Sequence, residues 1–412
     1  MKVYLTKKLY TGKGEVLENV YIGIEGDRIK YVGAEKPEGG EFVGEYPCIT
    51  PAFIDAHSHI GMVREGEPGN EEESNDYADT FQPLLNPLDS VYFDDAAFKN
   101  SVENGVLYSC IVPGSGNLLG GKAVVIRNFA RNRKEAFFKD YGYKMALGYN
   151  PRSVYGQWGG KRFNTRMGAN SHLEFKLDEV KRKARKQEIE FQKGVKDLEK
   201  SLKKGEITQE EFEERKALLK ESLEVELTPF ERSILELLRG EKIGKVHVHK
   251  ADDVLYLIEL KRKFGLKVTA DHTADVFEKE IFVELKNEDI PVVYGPISSF
   301  NYKVELKNSN YKNVKPLIES GVFYGLMTDH PVVLQYLLFY ELRYFLLYGI
   351  TPEKAIEIIT MRNAKILGID DVLGSIEEGK LASFVLWNGN PFELTSHPEL
   401  VLAEGREVTV KL

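Results

Sequence analysis

Eight short runs rich in β-branched residues alternate with helix-like stretches through the middle of the chain, and this alternation restricts the fold more than any other feature. The runs are Phe53–Ile60, Val106–Val112, Ala123–Arg127, Lys144–Leu147, Val246–Lys250, Lys267–Asp271, Pro291–Tyr294 and Tyr324–Thr328. Helical patterns such as Ala251–Phe264 and Pro352–Leu367 follow most of them. Strands alternating with helices read as βα units in a parallel sheet. Histidine and aspartate recur at the ends of these runs, where α/β barrels build their sites, so a closed (β/α)8 TIM barrel is expected over an open sheet.

Both chain ends read differently. Lys2–Leu9, Val20–Glu25 and Arg28–Val32 are strand-like, as are Ser383–Trp387 and Glu407–Leu412. Neither end is long enough for a stable sheet alone, so residues 1–50 and 370–412 are expected to pair into one small β domain. The barrel then occupies 51–369. Residues 176–226 stand apart, dense in Lys, Arg and Glu, with Thr208 and Glu211 spaced as a capping box. They predict a charged helical hairpin inserted in the barrel, either a solvated excursion or a dimerisation arm. Residues 62–92 form a long acidic connection after the first strand. Its Glu71, Glu72, Glu73 and Asp76 either attract cationic substrate groups or merely solubilise the loop.

Composition narrows the function classes. The net charge of −8 over 412 residues argues against nucleic acid or an anionic membrane as main partner. Cys48 and Cys110 are too few for a disulfide framework or a cysteine zinc site. The start of the sequence lacks a signal-like apolar run, and Val332 to Ile350 is broken by Gln335, Glu341 and Arg343. A cytoplasmic protein with a small-molecule substrate is expected, and a homo-oligomer stays open.

Ile54-Asp55-Ala56-His57-Ser58-His59 carries the strongest chemical signal. Residues two apart on a strand face one side, so His57 and His59 can reach one divalent metal, and imidazole suits zinc. Val246-His247-Val248-His249 repeats that geometry. Thr269-Ala270-Asp271-His272 and Met327-Thr328-Asp329-His330 end two further strands. Most of the eight histidines therefore lie in or just after predicted barrel strands. His330 points opposite to Asp329 and reads as structural, while His172 and His397 lack such a context. Gly114-Ser115-Gly116 with Gly120-Gly121 has no P-loop Lys-Ser/Thr, and reads as a substrate-side turn.

These motifs resemble the metal-dependent amidohydrolase superfamily, in its imidazolonepropionase- and prolidase-like branch. Pro51 to His59 is similar to the opening strand motif, Thr360 to Gly368 to the last barrel helix, and Gly374 to Ser383 to the return into the β domain. Pro113 to Asn117, Ala146 to Pro151 and Thr165 to Gly168 resemble a subgroup of these hydrolases. The resemblance implies a TIM barrel with a small β-sandwich built from both termini. It implies His57 and His59 as ligands from strand one, His247 from strand five and Asp329 from strand eight. His272 would be a second-metal ligand or a group polarising the substrate carbonyl.

Departures from the pattern matter. Binuclear relatives bridge two metals with a carboxylated lysine at the end of strand four, or use a glutamate; here that strand ends Gly148-Tyr149-Asn150. Lys122 and Lys144 remain, with Lys144 at the start of its expected strand and away from the mouth. One ion is therefore favoured over two. The expected chemistry is C–N hydrolysis of an amide, cyclic amide or amidine-like group by a metal-activated water. Asp329 would act as general base, and His272 or His249 would meet the oxyanion. Tyr149, Arg162 and Arg166 are candidate substrate contacts, with Tyr155 beside them; surface ion pairing explains the arginines as simply. A lactone or phosphotriester hydrolase using the same site is the alternative, followed by a non-catalytic metal- or ligand-binding barrel.

Overall fold

The computed structural model describes residues 1–66, 71–153 and 163–408. The chain opens with β1 (Lys2–Tyr10), β2 (Val16–Glu25), β3 (Arg28–Gly33) and β4 (Glu41–Pro51). The central strands are β5 (Phe53–Ser58), β6 (Val106–Ile111), β7 (Leu119–Arg127), β8 (Phe137–Ala146), β9 (Ile243–Val248), β10 (Val268–His272), β11 (Val292–Tyr294) and β12 (Tyr324–Leu326). The chain returns through β13 (Phe384–Trp387), β14 (Pro398–Ala403) and β15 (Arg406–Glu407).

The first and last strands form one seven-stranded sheet in the order β15-β14-β13-β4-β1-β2-β3, so both ends of the chain do pair. Antiparallel register of β13 on β4, from Phe384 opposite Pro51 to Trp387 opposite Cys48, makes the join. Alternate residues of this sheet, including Tyr4, Ile22, Ile49, Phe384 and Leu402, bury one apolar face. β4 then runs almost directly into β5. Ser383 Oγ lies 2.8 Å from the Tyr108 hydroxyl, tying the terminal sheet to β6.

Each of the eight expected central strands has a counterpart, hydrogen-bonded to its chain neighbours in an eight-stranded sheet. One expectation fails: β7 runs antiparallel to both β6 and β8. The link from Ile111 to Leu119 is the reason, since a parallel crossover needs about a dozen residues or more. Gly114-Ser115-Gly116 lies in that link, and Gly114 N–H donates to Ser74 O and Gly116 N–H to Asn75 Oδ1. It is a chain reversal pinned by the 62–92 connection. The carboxylates of that connection are engaged locally: Glu72 accepts Ser74 N–H, Glu73 the Tyr92 hydroxyl, and Asp76 the Ala78 N–H.

The sheet curls until β5 and β12 meet. Asn363, fully buried, sews that seam. Its Nδ2 donates to Ile54 O at 2.6 Å and Leu326 O at 2.8 Å, and its Oδ1 accepts Leu326 N–H at 2.9 Å. Gly325 belongs to the same device, because a Cβ there would run into Asn363 Oδ1. Beyond the seam Asp329 N–H donates to His57 O at 3.1 Å and His59 N–H to His330 O at 3.2 Å.

The charged insertion is a pair of helices, Arg166–Lys203 and Gln209–Val225. It starts earlier than its charge pattern suggests, because Thr165 Oγ1 caps the helix by accepting Gly168 N–H. Ala169, Leu173, Leu177 and Val180 bury its first turns, leaving the rest to solvent-facing charge. Thr208 and Glu211 form the reciprocal capping pair. Among the described residues no helix is long and apolar enough to cross a membrane.

Replacing Asn363 with Ala strands three backbone groups at the seam. At about 1–3 kcal/mol for each buried unsatisfied group, a loss of at least about 3 kcal/mol is expected in denaturant unfolding. A loss within 0.5 kcal/mol, on the order of a surface substitution, would show the seam is held by other means.

Candidate metal centre

The histidine pattern converges at one end of the barrel sheet. His57 is wholly buried on β5, and its Nδ1 lies 2.6 Å from Asp271 Oδ2. With Nδ1 donating there, Nε2 is turned toward Lys144 Nζ at 2.9 Å and Asp329 Oδ1 at 3.5 Å. His59 Nδ1 donates to Val112 O at 2.7 Å, which leaves its Nε2 facing Asp329 Oδ1 at 3.1 Å. His272 Nδ1 is 3.2 Å from Gly295 O and 4.0 Å from Asp329 Oδ2. Asp329 thus stands between imidazoles from β5 and β10, its side chain 15% exposed.

A second group adjoins the first. His247, His249 and His272, all buried, bring one ring nitrogen each within 4.8 Å of the others. One ring nitrogen each of His57 and His272 and a carboxylate oxygen of Asp329 also lie within 4.8 Å of one another, so His272 belongs to both groups. His247 Nδ1, His249 Nδ1 and His272 Nε2 have no hydrogen-bond partner despite full burial. Buried polar nitrogens without partners are rare, and imidazole nitrogens collected around a carboxylate are the donor set divalent transition metals take. The residues fit a metal.

Burial also sets the protonation state. It pushes His57 down to about 3, helped by the Lys144 ammonium, and His247 down to about 4. His249 and His272 are displaced in the same direction, again chiefly by burial. Neutral imidazole is the form that ligates. Burial drives the Asp329 carboxyl up, but the His59 hydrogen bond and neighbouring positive charge outweigh it and hold the group below the carboxylate range. Asp329 and His272 adopt left-handed backbone, with φ of 52° and 80°. Non-glycine residues are held there only where their surroundings over-determine them, a pattern that clusters at functional sites.

Several contributors escaped the sequence reading. Asp271 Oδ2 is shared between His57 Nδ1 and Lys245 Nζ, the latter at 3.0 Å, all three side chains fully buried. Asp55 accepts from His57 N–H and Thr328 N–H, both at 3.2 Å. Burial raises its carboxyl to about 6. The missed signal was alternation: Asp55 and His57, and Lys245 and His247, are two apart on their strands. Lys144 is a correction. Its strand begins at Phe137, so Lys144 lies near the strand's C-terminal end and reaches His57. Burial lowers its ammonium to about 8. Glu305, in the short turn Val304–Leu306, carried no sequence signal at all, yet its Oε1 is 3.1 Å from His247 Nε2.

Other candidates fall outside this cluster. His330 is buried behind it, its Nδ1 accepting Gln335 N–H. Arg166 pairs with Asp253 at 3.0 Å and Asp252 at 3.4 Å on the helix after β9. Tyr149 comes to the site through its backbone, its N–H donating to Glu305 Oε2 at 2.9 Å. Tyr155 and Arg162 lie outside the described residues. Asp329 and His249 share the wall of a narrow cavity with Ser299, Tyr302, Leu306 and Val332.

Comparison with known proteins agrees with this geometry. Residues 245–410 match the model of the amidohydrolase family. The crystal structure of an amidohydrolase from Thermotoga maritima MSB8 superimposes with a TM-score of 0.85 at 29% identity, covering 99% of each chain. Amidohydrolase tasK of Hapsidospora irregularis is 24% identical over 373 residues, 87% of this chain and 36% of that protein. An imidazolonepropionase of Acinetobacter baumannii is 34% identical over 115 residues, 25% of this chain and 28% of that enzyme. The chain thus spans well under half the length of these two curated relatives. It is similar to amidohydrolases, along its whole length in structure and over residues 245–410 in sequence, and over a quarter of its length to an imidazolonepropionase.

Removing a group that orients a metal-ligating histidine typically weakens metal affinity about 10–100-fold. Asp271→Asn is expected to do this in a zinc titration, and also to destabilise the fold by leaving Lys245 without its counter-charge. Adding Lys245→Met should restore the melting temperature without restoring zinc affinity. Recovery of both would make Asp271 a fold element only.

Proposed function

We propose that this chain is a metal-dependent hydrolase of carbon–nitrogen bonds, acting on an amide, cyclic amide or amidine-like group of a small molecule or dipeptide. The single observation that carries the reading is the placement of Asp329. It is a partly open carboxylate beside His57, His59 and His272, next to a group of buried imidazoles in which His247 Nδ1, His249 Nδ1 and His272 Nε2 lack protein partners. A purely structural metal site has no need of a carboxylate kept open at the mouth.

His57, His59, His247, His272 and Asp329 would hold the cation, zinc being the ion that suits this donor set best. When bound, such an ion lowers the pKa of a coordinated water from about 15.7 toward 7 and polarises a carbonyl. Asp329 takes the proton of the attacking water and passes it to the leaving nitrogen, its position at the cavity wall giving it access to both. His272 keeps Nδ1 on Gly295 O, so its Nε2 is an acceptor and serves as ligand. His249, on the same cavity wall as Asp329, is the imidazole left to stabilise the developing oxyanion.

The preference for one ion rests on Tyr149 at the end of strand four, where a bridging group is expected, and on Lys144 lying away from the mouth; the second ground does not hold. With Lys144 beside His57, and two ligand groups sharing His272, the arrangement supports two ions. Lys144, not Lys122, is then the lysine suited to carboxylation. The barrel of this reading is 51–369, with 1–50 and 370–412 as a small β-sandwich domain and 176–226 as a charged hairpin. The protein would work in the cytoplasm on small molecules, without nucleic-acid or membrane partners.

Asp329→Asn should retain bound metal, because four histidines remain, and lose about 10²–10⁴-fold in turnover. Turnover is to be read in parallel on dipeptide, cyclic amide, lactone and phosphotriester substrates, with and without a chelator. Rates confined to the last two would move the chain to the lactone or phosphotriester alternative. Full turnover after metal removal would refute the reading.

A further inference from the structure

The loop after β11 leaves apolar side chains open to water at the edge of the site. Phe300 is 78% exposed and Tyr302 51%. Their rings lie together, with centroids 5.2 Å apart. Tyr302 shares the cavity wall of Asp329 and His249 with Val332, itself 37% exposed. Single exposed apolar side chains are ordinary, but a group of them beside a cavity marks a surface that receives something.

Polar anchors hold the loop in this pose. The buried Glu341 carboxylate accepts Ile297 N–H at 2.8 Å and Ser298 N–H at 2.9 Å. Asn301 Nδ2 donates to Ser309 O at 3.1 Å, and Lys303 Nζ to Asn150 Oδ1 at 3.2 Å. Inside the rim the wall is uncharged apart from Asp329 and His249: Ala274, Pro296, Leu306 and Val332, with Ser299 and Ser309. The nearby ammonium groups are already paired, Lys303 with Glu305 at 2.7 Å and Lys250 with Asp275 at 3.3 Å. A charged substrate side chain would lose water here and gain no partner. The cavity has room for about one water, so the body of a substrate rests on the rim and only its reacting group enters.

We propose that the rim of Phe300, Tyr302 and Val332 is the specificity surface of this site, and that it takes an uncharged apolar side chain, aliphatic or aromatic, next to the attacked bond. The inference deepens the hydrolase reading above: it rests on that reading for the bond, but its binding preference can be measured without turnover. Covering the exposed rings with an apolar group removes both partners from water, which favours the complex in proportion to the area covered. A glycyl substrate leaves the rings exposed, and a lysyl or glutamyl one brings a charge to a wall that cannot pair it.

The experiment pairs turnover with binding on the full-length, zinc-loaded chain. Turnover is measured as kcat/KM on amides flanked, on either side, by glycyl, leucyl, phenylalanyl, lysyl or glutamyl groups. Binding is measured by calorimetry with the matching aminoacyl hydroxamates. Phenylalanyl and leucyl compounds are expected to exceed glycyl ones by about tenfold or more, and lysyl and glutamyl ones to fall below glycyl. Phe300→Ala should cut the phenylalanyl-to-glycyl ratio at least about fivefold in both measurements, through KM more than kcat, and Phe300→Leu should keep part of it. An unchanged ratio in Phe300→Ala overturns the proposal, as does a wild-type preference for lysyl or glutamyl groups, or no binding of any hydroxamate. Absence of turnover on every amide would instead refute the hydrolase reading, and the hydroxamate ratios then decide this proposal alone.

Discussion

A charge inside a barrel is tolerable only with a partner, and the Asp271 carboxylate is the partner on which this molecule depends. It stands between the Lys245 ammonium below and the His57 imidazole above, with no solvent access to any of the three. Breaking a buried pair by removing one member typically costs about 3–5 kcal/mol, so neither Lys245 nor Asp271 is free to vary alone. The same contact sets the tautomer of His57. Because Nδ1 donates to Asp271, Nε2 is offered to the mouth, and the rest of the site is arranged around that nitrogen.

The seam of the barrel serves the same end. Asn363 closes β5 against β12, and the backbone contacts beyond it bring Asp329 beside His57 and His59. The left-handed backbone at Asp329 and His272 turns both side chains inward just where their strands end. Stability and chemistry draw on one set of contacts here. The last barrel helix, which supplies Asn363, thereby belongs to the site's support.

Much of this was legible in the sequence, and the exceptions have physical reasons. Strand periodicity located all eight central strands, and the two-apart spacing of His57/His59 and His247/His249 identified the end where they converge. The direction of β7 was not visible in its own residues; it follows from the short link before it, which Gly114 and Gly116 turn. Lys144 was misplaced because polar and glycine residues from Lys139 to Gly142 hid the first half of β8 from a hydrophobicity reading. Glu305 had no legible signal, since its role arises from a turn that folds back over strands far away in sequence. Asp55 and Lys245 were readable in principle, as polar residues two apart from His57 and His247 on their strands, whereas Asp271 adjoins His272 and has no such spacing.

The central claim is that the strand-end imidazoles and Asp329 hold divalent metal, and anomalous diffraction from zinc-soaked crystals tests it most directly. The account predicts anomalous peaks within ligand distance of His57, His59 and Asp329, and of His247 and His272. No peak at those residues, or zinc bound only elsewhere on the molecule, would contradict it.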